Sequence, residues 1–163
     1  MMTRKLTVIL KVTTVKHWRN SNSPLWQKTL FLNRHFAYIV IIVFAALFGS
    51  GLDLFFVKYG FYEFPFRPFP HLFSINIAFT LCVLPFITFL YLVLMKKMNR
   101  LERWIVILII SFLAPLGEII SEAWGLFIHS EKWSHYYSVI GYFLYLVFVS
   151  KIFFWLSEKT LRN

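Results

Sequence analysis

The chain has 163 residues, of which 59% are hydrophobic, 21% aromatic and 15% charged; soluble domains are nearer half apolar and a quarter charged. Twenty phenylalanines and a single cysteine, Cys82, exclude a disordered chain and a disulfide-stapled module. The net charge of +10 would point to nucleic acid in a soluble protein; beside so apolar a composition it points to a lipid surface, with no nucleic-acid partner.

Residues 1–35 form a basic N-terminal segment. Arg4, Lys5, Lys11, Lys16, Arg19, Lys28 and Arg34 occur there with no acid among them. The apolar stretch at 7–10 is too short for a signal peptide. The segment is expected to be a cytoplasmic tail, or to lie on the interface with its Lys and Arg on anionic lipid headgroups and with Trp18 and Trp26 as anchors.

Four apolar runs follow, at residues 36–57, 72–95, 104–129 and 136–156. Each holds the roughly 20 residues that a helix needs to cross a hydrocarbon core about 30 Å thick. None alternates as the strands of a membrane barrel do. Connections of 14, eight and six residues leave no room for a folded domain between runs, so consecutive spans are expected to be antiparallel neighbours. Residues 157–163 make a short C-terminal tail. The fold class is therefore all-α, an integral membrane bundle of four transmembrane helices. Fourteen Lys and Arg fall on the side of the chain ends and three on the other. Positive residues stay inside, which predicts that both termini are cytoplasmic.

Polar residues inside apolar runs carry the functional signal. The third run contains Glu118 and Glu122, one helical turn apart. A charge at mid-span costs roughly 2.5–3.5 kcal/mol on insertion scales, so such acids are expected to face protein or water. If the run is one helix, His129, Ser111 and Gly125 share their face. Asp53, late in the first run, is expected about 6 Å from its outer end, Glu122 about 10 Å and Glu118 about 16 Å. The three acids would then form a ladder with His129 at its mouth. Lys151 in the fourth run is expected either to snorkel to cytoplasmic water or to pair with Glu118. Pro85 and Pro115 predict kinks. Small residues at Ala45, Ala46, Gly49 and Ser50 predict a close helix contact. The loop over 58–71, with three prolines and six aromatics, reads as an interface-seeking belt.

No GxSxG, HExxH, glycine-rich phosphate loop or CxxC occurs, so the sequence leans away from an enzyme. His129 and His135 with Glu118 and Glu122 match no standard ligand spacing; neither a metal nor a cofactor is expected.

Asp53, the Lys58-Tyr59-Gly60 loop start, Glu122 followed by Gly125, and the run from Trp133 and Ser134 to Tyr136, Tyr137 and Ser138 together resemble a family of small, uncharacterised multi-spanning membrane proteins of Bacillus-like and clostridial bacteria. The resemblance covers residues 36–156. It implies a helical bundle in a bacterial plasma membrane and no activity. Three functions fit the polar residues: a small transporter or ion-conducting protein, a homo-oligomer, using Asp53, Glu118 and Glu122; a structural or accessory subunit bound to another membrane protein; and a lipid-active membrane enzyme using the outer-facing acids and His129.

Overall fold

The computed structural model describes the backbone of residues 24–162 and the side chains of residues 35–158. The expectations for Trp18, Trp26 and the N-terminal charges fall outside the described side chains. The chain divides after His35 into two compact units.

Among the described residues there are four α-helices and one pair of short strands. Helix α1 is Pro24–Lys58, strand β1 Tyr62–Glu63, helix α2 Leu84–Lys96, helix α3 Arg100–Ala123, strand β2 Ile128–His129 and helix α4 His135–Arg162. A π-helical turn, Phe79–Val83, runs directly into α2. Four stretches are long and apolar enough to cross a membrane: His35–Lys58, Phe79–Lys96, Arg100–Ala123 and His135–Glu158. The 18-residue stretch is about 27 Å long and each 24-residue stretch about 36 Å. Leu47, Phe86, Phe112 and Leu144, one on each stretch, are all at least 60% exposed. Such outward apolar faces need a lipid or protein covering. The chain has the build of a multi-pass membrane protein.

Two boundaries differ from the apolar runs. The third run does not continue as helix to His129. It ends at Ala123, because Gly125 adopts φ +70°. The Gly125 N–H donates to the Glu122 carbonyl (2.9 Å) and the Leu126 N–H to the Ser121 carbonyl (2.9 Å), the paired closure of a glycine-terminated helix. The second run does not begin as helix at Leu72. Asn76 accepts from the Phe79 N–H at 3.2 Å, and residues 72–76 are not helical. The start of α3 is equally local: the Asn99 side chain accepts from Leu101 and Glu102 N–H, both at 3.0 Å, while the Glu102 carboxylate accepts from Asn99 N–H at 2.8 Å. Arg103 Nε donates to the Met95 carbonyl at the end of α2 (3.0 Å), and its guanidinium lies 3.9 Å from the Phe154 ring centre.

The larger core joins all four helices through Ala37, Ile41, Leu92, Met95, Ile107, Leu146, Val149 and Phe153. Ala45 is fully buried, and a Cβ on Gly49 would run into the Leu84 side chain; α1 meets α2 closely at its small residues. Helix α1 passes through Gly49, Ser50 and Gly51 without a break. A second cluster caps the other end: Tyr62, Phe64, Ile75 and Phe127, with Phe56, Phe61 and Trp133 against them. Arg67 ties the aromatic loop, donating to the carbonyls of Phe64 (2.6 Å) and Phe73 (2.7 Å).

Candidate functional site

On α3 the protein-facing stripe runs Ile107, Ser111, Pro115, Glu118, Glu122, which is helical spacing. Its first three members are buried and its last two are the acids. Glu118 lies five residues before the end of α3, and Asp53 five before the end of α1. Each is thus about 7.5 Å from a helix end. The two ends lie on the same side as β1 and β2, so the acids form a layer there rather than the ladder expected from a longer third span.

The strand pair assembles this layer. Tyr62 stands opposite His129 and Glu63 opposite Ile128. Ser130 reinforces the pair by donating from its N–H (2.9 Å) and hydroxyl (3.0 Å) to the Phe61 carbonyl. From β1, the Tyr62 hydroxyl donates to Asp53 Oδ1 at 2.7 Å, while Asp53 Oδ2 is buried without a hydrogen-bond partner. From β2, the His129 N–H donates to Glu122 Oε1 at 3.0 Å, and His129 Nδ1 lies 2.5 Å from the same oxygen. His129 reaches Glu122 from a strand that doubles back, not from the same helical face.

Helix α4 completes the layer. His135 Nδ1 lies 3.2 Å from Glu118 Oε2, and the Ser138 hydroxyl donates to that oxygen at 2.6 Å. His135 Nε2 is 3.7 Å from Glu122 Oε2. The two imidazoles meet edge to face with centres 4.9 Å apart. The four side chains are between 18% and 32% exposed, so the cluster is partly open at the surface. Tyr62 differs: burial, and then the Asp53 charge beside it, push its hydroxyl pKa well above the usual tyrosine value.

Hydroxyls continue inward from the carboxylates. Tyr142 follows Ser138 by four residues and precedes Tyr145 by three on α4, the spacing of one helix face. The Tyr145 and Thr88 hydroxyls are 2.8 Å apart, and those of Tyr91 and Ser150 are 2.6 Å apart. From Ser138 to Ser150 this seam covers 12 residues of α4, about 18 Å.

Glu118, Glu122 and His129 thus share one cluster, its two hydrogen-bonded halves meeting at the 3.7 Å contact between His135 and Glu122, and Tyr62 holds Asp53 from β1. Lys151 does not join. It is exposed, 13 residues beyond Ser138 on α4, about 20 Å away, and Glu118 is held by His135 and Ser138. The sequence weighs His135 only as a metal ligand beside His129, Glu118 and Glu122, and gives Ser138 and Tyr62 no role at the acids. His135 and Ser138 lie three residues apart, the spacing of one helix face; Tyr62 reaches Asp53 through strand pairing, which leaves no mark in a two-residue strand. Compared with protein-family models, curated proteins and solved structures, the chain matches none.

Proposed function

We propose that this chain is a small ion-handling protein of the plasma membrane, exchanging protons or a cation at the carboxylate–histidine layer, with both termini cytoplasmic. The observation that carries the reading is the polar seam on α4: Ser138, bonded to Glu118, is followed at helical spacing by Tyr142 and Tyr145, with the Tyr145–Thr88 and Tyr91–Ser150 hydroxyl pairs beyond. Hydroxyls both donate and accept, so such a file suits proton relay. An accessory subunit needs no such file, and ionisable residues in a membrane are costly unless they do something. The positive-side bias supports the orientation, which places the layer toward the outer face.

The test is reconstitution of the full chain in liposomes, with a pH-sensitive dye inside and an imposed ion gradient. Flux is expected from the unsubstituted chain. It should fall severalfold in Glu118→Gln, and also in Tyr145→Phe, which leaves the outer layer intact. A dye signal no greater than that of empty liposomes overturns the reading.

A further inference from the structure

We propose that Glu122, His129 and His135 bind a divalent transition-metal ion of the zinc class, with Glu118 as the positioning residue for His135. This rests on the ion-handling reading above and names the ligand chemistry of the same layer.

Three observations carry it. Taking one donor atom from each of Glu122, His129 and His135, all three lie within 4.8 Å of one another. Zinc holds nitrogen and carboxylate donors at about 2.0–2.2 Å, which places tetrahedral donors about 3.4 Å apart. The 3.7 Å between His135 Nε2 and Glu122 Oε2 is already close to that.

The His135 ring is also oriented as a ligand. Its Nδ1 faces Glu118 Oε2, itself fixed by the Ser138 hydroxyl. With the proton on Nδ1, the Nε2 lone pair is turned toward Glu122. A carboxylate behind an imidazole in this way fixes the tautomer and raises the basicity of the ligating nitrogen.

The donor set selects the metal. Two imidazoles and one carboxylate form the three-ligand set of open zinc sites, with a fourth position left for water or substrate. Calcium and magnesium prefer all-oxygen shells. The acids also sit in the last two turns of α3, at the negative end of its dipole. That placement is unfavourable for carboxylates alone and is offset by a cation between them.

The test uses the full chain, purified in detergent without a histidine tag and stripped with chelator. Cobalt(II) is the spectroscopic probe, and zinc the competitor. One cobalt per chain is expected, with a tetrahedral visible spectrum, displaced by zinc and not by excess magnesium or calcium. Glu122→Gln and His135→Ala should abolish the spectrum, and Glu118→Gln should weaken affinity by about 10–100-fold. His71→Ala, outside the cluster, should bind as the parent does. Because a ligand variant can fail to fold, the unfolding temperature of the parent chain is read as well, and zinc but not magnesium should raise it. No saturable binding by the parent, or unchanged binding when His129 and His135 are both alanine, overturns the proposal. Zinc binding without ion flux upholds this site and removes the transport reading; flux without zinc binding does the reverse.

Discussion

At the scale of single residues, the Tyr62 hydroxyl is the most constrained group in the layer. It is buried, donates to Asp53 and keeps its proton more tightly in the folded chain than in the unfolded one. The unfolded chain releases that proton above its ordinary value of 10.0, while the folded chain still holds it. The sign follows: Tyr62 supports folding below that pH, and its contribution is lost as pH rises past it. Unfolding in detergent, followed by circular dichroism against pH, should show an alkaline fall in stability that Tyr62→Phe reduces. Tyr62→Phe should also lower stability at neutral pH, by about 1–3 kcal/mol for a carboxylate oxygen left unpaired. The acids were legible in the sequence because charge in an apolar run is conspicuous. His135 was visible as a histidine beside the acids but not as the partner of Glu118, because it lies just outside the fourth apolar run and its spacing from the acids matches no standard ligand set.

At the scale of elements, α3 is defined by its ends. Asn99→Ala removes the acceptor for two N–H groups and should cost about 1 kcal/mol, read as a lower midpoint in denaturant. Gly125→Ala puts a side chain into a left-handed conformation, costing about 1–2 kcal/mol. Its sharper readout is the layer itself, since the turn at Gly125 returns His129 to Glu122. The existence and order of the helices followed from apolar length alone. Where α3 stops did not, because counting apolar residues passes over a glycine; Gly125 is nonetheless a plain stop signal. Residues 72–76 misled for the related reason that Leu72, Phe73 and Ile75 are apolar while Asn76 starts the helix.

At the scale of the whole molecule, the two ends of the bundle are built differently. One is held by aliphatic packing and by Arg103 bridging α2 to Phe154. The other is closed by aromatic rings around the polar layer. Cysteine labelling from either side of sealed vesicles, in a Cys82→Ser background, should place Cys-substituted Lys97 and Glu131 on opposite faces. Labelling of both from one side would break the up-and-down topology. The strand pair sets one more condition on the whole. Neighbouring residues of a strand point to opposite sides, and Tyr62 is matched to His129. Deleting one residue between Gly125 and Ile128 would slide that pairing by a step, put Ser130 opposite Tyr62 and send the imidazole to the other side. Such a chain would keep every membrane-length helix and lose its chemistry, so the spacing of a six-residue return is as much a part of the machine as the acids it serves.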